Sequence, residues 1–563
     1  MSTDDPSATP VAVVGGGPVG LLLALFLDRH GVRSVVFDAE ESVPEQPRGS
    51  THNARTMEHY RTLGLASRVR ELGLPRDHAT GISFFTRYSG HGLAHLPWPS
   101  PGETLRRVAG ADRTDQTPEP MHRANQMYVE RLLLDHARTR PNITLCYGWR
   151  VTGLDERAGH VDVTATGAGT GAGARAGAPR TWRAAYAVGC DGGHSFVRRS
   201  LGIRYSGESS VQQDVLGRRA IAAHLRVPGL HSGLLGQRRA WSYWAVNPEL
   251  ALNLITLNGA DEFFLLTSSV DPDRADEAEL ARLVRRAAGT ALRVDVLGHR
   301  PWTPGAALVA DRFGSRRTLL AGDAAHLFSP NGGFGMNTGV DDVANLSWKL
   351  AAAVQGWAGP RLLDSYEAER RPIAVRNTTA ARRLNIGLGA IDRPPALEED
   401  SPDGVAARGK TGAELAAYGL LTLETLGVQL GARYDGSPIV APSPGDTAPP
   451  DAFTSYTPSS VPGGRAPHVW LDCFHGPHSS LFDRFGAGFT VLRLGRDAPE
   501  GGGLRAAAEK RGVPLTVLSL DEPAVRDLYE RDLVLIRPDH HVAWRGNRAP
   551  DDADALLARV TGH

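Results

Sequence analysis

Cysteine is scarce. Cys146, Cys190 and Cys473 are the only three in 563 residues. They stand far apart and form no CxxC pair, which excludes a disulfide-stapled scaffold and a cysteine-rich metal centre, so reduced intracellular thiols and no metal are expected. Net charge is missing as well. The 62 Lys and Arg balance 62 Asp and Glu, leaving no field to recruit nucleic acid or an anionic membrane. Long apolar runs are absent; LLLALF (Leu21–Phe26) falls far short of the roughly 18 residues that cross a bilayer. The opening MSTDDPSATP is acidic and polar, not a signal peptide, and a cytoplasmic location is expected. Lysine is nearly absent, at Lys349, Lys410 and Lys510 alone. With abundant Ala, Gly and Pro, that is a compositional hint of a GC-rich bacterial genome.

What is present is glycine in pattern. VAVVGGG reads as a buried strand, PVGLLLALFLDRH as a helix and SVVFDAE as a second strand, together a βαβ unit. Gly15, Gly17 and Gly20 fit G-x-G-x-x-G between strand and helix. The first permits a tight turn, the second lets backbone approach a pyrophosphate, and the third packs helix on strand; Pro18 opens the helix. The free N–H groups and dipole of that helix end suit phosphates. Asp38, ending the second strand, stands where a carboxylate would accept the ribose hydroxyls. Further on, ARTMEHYRTLG and YVERLLLDHARTR read as helices. Ala165–Pro179 is low-complexity and reads as a hairpin loop. Between about Gly202 and His299, alternating stretches such as RAIAAHLRV, AWSYWAV, ALNLITLN and EFFLLTSSV predict antiparallel strands. VDDVANLSWKLAAAVQGW predicts an amphipathic helix with Val340, Val343, Ser347, Leu350 and Val354 on one face.

Two distant segments decide which nucleotide. GCDGGHSFVRRSLG holds Asp191-Gly192 with Ser195 and Arg198, and RTLLAGDAAHLFSPNGGFGMNTG holds Gly322-Asp323 before a glycine-rich loop. With the first turn, and with PRGSTHNARTMEHYRTLGL, NQMYVERLL and LLDSYEAERRP, these resemble the flavin-dependent aromatic hydroxylases, the p-hydroxybenzoate and phenol hydroxylase class of FAD monooxygenases. The resemblance runs to about Arg383, and YWAVNPE favours the longer phenol, dichlorophenol and polyketide hydroxylase branch. It implies an α/β fold: a Rossmann-like FAD-binding domain (8–80, 113–204, 300–392), an inserted mixed or antiparallel substrate domain (81–112, 205–299) and a thioredoxin-like domain (461–563), while Pro- and Gly-rich composition after Arg393 reads as a connector (393–460). Cys473 is alone in that last domain, so it carries no thiol redox pair. The resemblance also implies tightly bound, non-covalent FAD, NAD(P)H as co-substrate, a small aromatic substrate with dioxygen, and dimerisation as an expectation.

In the resembling family the DG turn at Asp191 and Gly192 serves both FAD and nicotinamide, and Asp323 of the GD turn binds the ribityl chain. Arg48 touches FAD, Gln126 binds ribityl, Val151 offers backbone to adenine, and the Pro330 carbonyl faces the flavin. The backbone of Gly335, Met336 and Asn337, at a helix start, suits the negative charge of reduced flavin. The implied reaction is hydroxylation of a phenol through a flavin C(4a)-hydroperoxide; Baeyer–Villiger oxygenation is the alternative. A non-oxygenating reductase or an FAD sensor ranks below both, and the halogenase W-x-W-x-I-P signature is not matched by AWSYWAVNP. The aspartate, arginine and tyrosine of phenol hydroxylase fall at Ser50 and near Leu254 and Thr256, so that constellation is absent. His52 and Tyr243 are the candidate bases, with pocket lining or packing as the alternative for each. Trp241, Trp244, Phe263 and Phe264 are candidate pocket aromatics, and His326 reads as a structural histidine.

Overall fold

The computed structural model describes residues 7–111, 115–167, 177–208, 219–236, 238–302, 307–471 and 479–563. Cys473 and positions 168–176 of the low-complexity stretch lie outside them. Ala8–Val14 is an apolar, β-branched run, stable only where both faces are covered. It pairs in parallel with Ser34–Asp38 on one side and Arg180–Gly189 on the other. Ile143–Tyr147 extends the sheet beyond Ser34–Asp38. Arg180–Gly189 is shared: its first half pairs antiparallel with Val161–Gly167, and its end pairs in parallel with Thr318–Leu320. Trp149–Glu156 closes the antiparallel side. The parallel strands end at one edge. There Gly15 N–H donates to Phe37 O (2.7 Å), Cys190 N–H to Val14 O (2.7 Å) and Ala321 N–H to Gly189 O (2.9 Å). Such an edge is where open α/β sheets bind ligands.

A second seven-stranded sheet runs, in spatial order, Asp295–Trp302, Ala220–Arg226, Glu262–Thr267, Ala251–Thr256, Ser242–Val246, Ile82–Phe85 and Gly92–Leu96. It is antiparallel except where Ser242–Val246 meets Ile82–Phe85. Side-chain alternation splits it into two faces. Tyr243, Ala245, Leu254, Phe263 and Leu265 pack under helix Glu277–Ala288 through Leu280, Leu283 and Val284. The opposite face carries Ala222, Ile255, Phe264 and Leu266. Trp241 and Met127 pack against it, and Met127 belongs to the nucleotide-domain helix Gln126–Arg138. This second face therefore looks toward the nucleotide domain.

Residues 393–460, read from composition as connector, include the 22-residue helix Pro402–Leu423. Ser401 caps it through Gly404 N–H, Pro402 sits at its first turn, and its Ala- and Leu-rich body favours helix over linker. Leu415 and Leu423 pack on Ile82, Phe84 and Trp244. The C-terminal region is a four-stranded mixed sheet, ordered Leu515–Leu520, Phe489–Leu494, Leu533–Ile536, Val542–Gly546, with helices Gly502–Arg511, Pro523–Tyr529 and Ala553–Val560.

Helix Phe334–Gln355 joins all of this. Its apolar face packs in the nucleotide-domain core through Val340, Val343 and Leu350. Its polar face does not meet water. Asp341, Asp342, Asn345 and Lys349 are buried in a network closed by the C-terminal region. Lys349 Nζ reaches Glu369 Oε2 (2.6 Å), Arg537 Nη1 reaches Glu369 Oε1 (2.6 Å), and Arg537 Nη2 reaches Asp539 Oδ2 (2.6 Å). Nearby, Arg465 grips Glu58 with Nε at 2.9 Å. Among the described residues no helix is long and apolar enough to cross a membrane.

Candidate functional site

The first glycine turn is built by exclusion. Gly15 has φ +108°, and a Cβ there would lie 2.4 Å from Cys190 O; one on Gly20 would lie 1.9 Å from Gly15 O. A Cβ on Gly17 would meet nothing within 4 Å. The turn is crowded everywhere except the point where a phosphate would approach. Gly17 caps helix Pro18–Arg29 without any side-chain bond, and Pro18 has no N–H to satisfy. The first-turn N–H groups of that helix are thus open to a ligand. Asp38 is fixed beside them: Oδ2 accepts Gly16 N–H (2.6 Å) and Oδ1 accepts Glu40 N–H (2.8 Å). Tyr147 OH donates to Gly16 O at 2.6 Å.

The 48–53 segment is held by the start of helix Gln126–Arg138. Asn125 Oδ1 accepts Arg48 N–H (3.2 Å), and its Nδ2 donates to Arg48 O (2.9 Å) and Ser50 Oγ (3.1 Å). Gln126 opens its helix, gives its N–H to Gly49 O (2.8 Å), and donates its amide to Glu130. Glu130 is buried, and burial first of all pushes its carboxyl above the usual range. Two buried atoms here have no protein partner: Arg48 Nε and Glu130 Oε2. Val151 lies at a bulge on the outermost strand of the sheet, its side chain buried.

The DG and GD turns are tied to each other. Asp191 Oδ2 accepts Val197 N–H (3.1 Å), while its buried Oδ1 has no partner. Gly192 takes φ +78°. Ser195 Oγ accepts Arg198 N–H (2.9 Å), and the Arg198 guanidinium lies 3.8 Å from the centroid of Tyr205. Tyr205 OH in turn donates to Asp323 O. Gly322 takes φ +62° and gives its N–H to Asp342 Oδ2 (3.2 Å). The same carboxylate holds His326 Nε2 (2.6 Å) and Arg370 Nε (2.8 Å), so His326 is structural. The Asp323 side chain is solvent-accessible, and the protein around it pushes its carboxyl up, opposed by His326 and Arg48.

After Pro330, whose carbonyl accepts Gly333 N–H (3.1 Å), Gly332 and Gly333 take φ +82° and +68° and turn the chain into helix Phe334–Gln355. That helix also begins without a side-chain cap, leaving first-turn groups at Gly335 and Met336 facing outward from its end. The Asn337 side chain clamps the neighbouring segment: Oδ1 accepts Asn53 N–H (2.9 Å), and Nδ2 donates to Thr51 O (2.8 Å) and Gly333 O (2.6 Å).

Neither candidate base is offered to a substrate. His52 is 1 % exposed, and both ring nitrogens are engaged, Nδ1 with Tyr60 OH (3.2 Å) and Nε2 with Ala124 O (3.1 Å). Burial, with His122 and Arg123 nearby, holds its ring down to about 3. Tyr243 is fully buried under helix Glu277–Ala288, on the face turned away from the nucleotide domain. Its hydroxyl accepts Ala240 N–H at 2.7 Å, and burial pushes it up to about 12. Strand alternation likewise separates the aromatics: Trp244 and Phe264 share a sheet face, Trp244 covered by helix Pro402–Leu423 and Phe264 beside Trp241, and Phe263 points the other way. Several groups were missed from the sequence. Asp342 holds the GD turn from a helix face that read as merely polar. Tyr418 OH accepts Asn331 Nδ2 (2.9 Å), and Gln429 Oε1 accepts Ala54 N–H (2.9 Å), both from the stretch read as connector. No local spacing marks them.

The residues fit FAD. Open helix N-termini at Gly17 and Gly333, an unmatched buried donor on Arg48 and a cradle left by Gly17 suit the phosphates of a long nucleotide, and the unmatched Asp191 Oδ1 suits a hydroxyl of it. The fold and site define an FAD-binding protein of the doubly wound type. An FAD-binding-domain model matches residues 8–381, and an aromatic-ring hydroxylase C-terminal model matches 459–563; the chain belongs to this family of FAD-dependent aromatic-ring monooxygenases. It is 33% identical to the FAD-dependent monooxygenase apdD of Emericella nidulans, covering 100% of this chain and 92% of that one. It is 32% identical to aklavinone 12-hydroxylase RdmE of Streptomyces purpurascens, over 98% of this chain and 97% of the relative. Among solved structures, the rebeccamycin biosynthetic enzyme RebC with reduced flavin superposes with a TM-score of 0.86 at 35% identity, over 99% of both chains.

Proposed function

We propose that the chain hydroxylates a phenolic or polyketide-derived aromatic compound with NAD(P)H and dioxygen. The observation that carries this reading is the meeting of three glycine turns and two uncapped helix ends at one sheet edge, opposite the apolar inner face of a second sheet. Bound FAD supplies reduction by a nicotinamide and activation of oxygen, chemistry no side chain provides. In this reading the N–H groups after Gly15, Gly17, Pro18 and Gly20 hold the pyrophosphate, and Asp38 holds the ribose. Val151 backs the adenine. Arg48, Gln126, Asp191, Gly192, Gly322 and Asp323 line the ribityl chain, and Pro330 limits the ring end. The first-turn groups of Gly335, Met336 and Asn337 neutralise charge at the flavin carbonyl. The sheet face bearing Trp244, Ile255 and Phe264 excludes water from the aromatic substrate. Neither His52 nor Tyr243 serves as base in this reading, since both are buried and hydrogen-bonded within the protein.

The C-terminal region is read as thioredoxin-like, on the strength of its mixed four-stranded sheet and flanking helices. Its role in this reading is structural.

The test is direct. The purified protein should show a flavin spectrum, and an aromatic polyketide should accelerate NADH or NADPH oxidation while an oxygen atom from labelled dioxygen enters a ring C–H position. A protein that stays colourless on reconstitution, or consumes nicotinamide at one rate whatever aromatic is present, defeats the proposal. An ester or lactone product would assign the Baeyer–Villiger route instead.

A further inference from the structure

Arg123 is a buried guanidinium without an acid. It is 6% exposed. Among the described residues its side chain makes one hydrogen bond, from Nη1 to Thr51 Oγ1, its Nε is buried with no partner, and no carboxylate lies within ion-pair range. Arg370, Arg465 and Arg537, also buried, each grip carboxylates, and buried Arg198, which has none, gives Nη1 to Gly193 O. Burial alone pushes the Arg123 guanidinium down to about 9, so it still carries its charge at neutral pH. Its carbon lies 3.7 Å from the ring centroid of Trp241, and Trp241 Nε1 is also buried without a partner. Guanidinium and indole are donors only. Two stacked, unmatched donors leave an acceptor wanting, and a buried charge is tolerated only when something answers it.

Position says what that acceptor belongs to. Arg123 pairs across a short two-stranded ladder with Thr51. The Thr51 carbonyl is held by Asn337, and a Cβ on Gly333 would come within 2.8 Å of Thr51 Cβ. That places one side of Arg123 at the start of helix Phe334–Gln355. Trp241, on its other side, packs against the inner face of the second sheet with Ile255 and Phe264. The pair therefore spans the gap between the flavin-facing helix end and the substrate-facing sheet. Stacking on the indole fixes the guanidinium plane, and hence the direction of its remaining N–H groups.

We propose that Arg123, assisted by the indole N–H of Trp241, anchors the substrate by a negatively charged oxygen, an ionised ring hydroxyl or a carboxylate. This rests on the aromatic monooxygenase reading above. It selects, within aromatic compounds, those bearing such an oxygen, and it supplies what the missing base does not: a charge that holds a ring hydroxyl in its ionised form.

The test uses the FAD-loaded protein and calorimetric titration with three probes: alizarin, its dimethyl ether, and an anthraquinone monocarboxylate. The wild type should bind alizarin or the carboxylate at least about tenfold more tightly than the ether, and which of the two it prefers identifies the oxygen. Arg123→Met should erase that preference while FAD content and unfolding temperature stay at wild-type values. Arg123→Lys should restore part of it, and Trp241→Phe should weaken it with the ring stack kept. The proposal is overturned if the wild type shows no preference or binds none of the probes, or if Arg123→Met keeps the preference. It is equally overturned if Arg123→Met loses flavin, which would make Arg123 a cofactor or packing residue. Absence of flavin from the wild type, seen before any probe is added, would defeat the underlying function rather than this assignment.

Discussion

Gly15, Gly17 and Gly20 do three different things, and substitution separates them. Gly20→Ala would force a Cβ into Gly15 O, against backbone that has nowhere to move. Loss of both flavin and thermal stability is expected, read from the ratio of visible to ultraviolet absorbance and from the melting curve. Gly17→Ala meets no protein atom. Its melting curve without flavin should match wild type while FAD affinity falls about tenfold or more, because the methyl occupies the approach of the phosphate. An unchanged affinity would show that nothing binds there. Tyr243→Phe removes the acceptor for a buried Ala240 N–H and should cost about 1–3 kcal/mol of stability. The pH profile of turnover should not move, since the hydroxyl never reaches the substrate; a shifted profile would return Tyr243 to the chemistry.

At the scale of elements, what could be read in advance followed from local rules. The strand–glycine–helix unit was legible because a positive φ favours glycine and a sub-van-der-Waals approach of backbone demands it, and both leave a fixed spacing. The strands of the second sheet were legible from alternation. Which face each residue took was not, because parity depends on register, and register is settled by partners tens of residues away. That is why Tyr243 and Trp244, adjacent in sequence, end on opposite faces. The polar side of helix Phe334–Gln355 was unreadable for a related reason: a run of Asp, Asn and Lys looks like a solvated face until its partners are known, and Asn345 meets Asp539 across 194 positions. Asp342 makes the point testable. Asp342→Asn weakens the hold on Gly322, His326 and Arg370 together. A stability loss of about 3–5 kcal/mol is expected from leaving Arg370 under-compensated, with weaker FAD retention on gel filtration.

The whole molecule is held by charges that no longer touch water, and this sets its acid limit. Burial works against the carboxyls of Glu58 and Glu369, yet Arg465 and Arg55 outweigh it for the first, and Arg537 and Lys349 for the second; both are held down to about 2. Burial lowers His52 to about 3 and His122 to about 4. All four folded values lie below their unfolded ones, so each group favours the fold at high pH and withdraws that favour as pH falls. Stability should decline first below about 6.5, as histidines of the unfolded chain take protons, and more steeply below about 4.5, as its carboxylates do. Each group adds up to about 1.4 kcal/mol per pH unit. Unfolding followed against pH by released flavin fluorescence would show a flat response if the network were unimportant. Arg537→Met isolates one joint. It leaves Glu369 with Lys349 alone among strong partners, and about 3–5 kcal/mol of destabilisation is expected.

The joint at Glu369 also has a consequence in time. Domains tend to acquire structure in the order in which they are synthesised, but the nucleotide domain cannot finish in that order. Its central helix waits for Arg537 and Asp539, which come near the end of the chain. During translation the domain should remain soft around the GD turn, and cofactor capture should follow emergence of the completed polypeptide. Stalled nascent chains ending at Asp532 would then carry no flavin, whereas full-length chains held by a long artificial tether would.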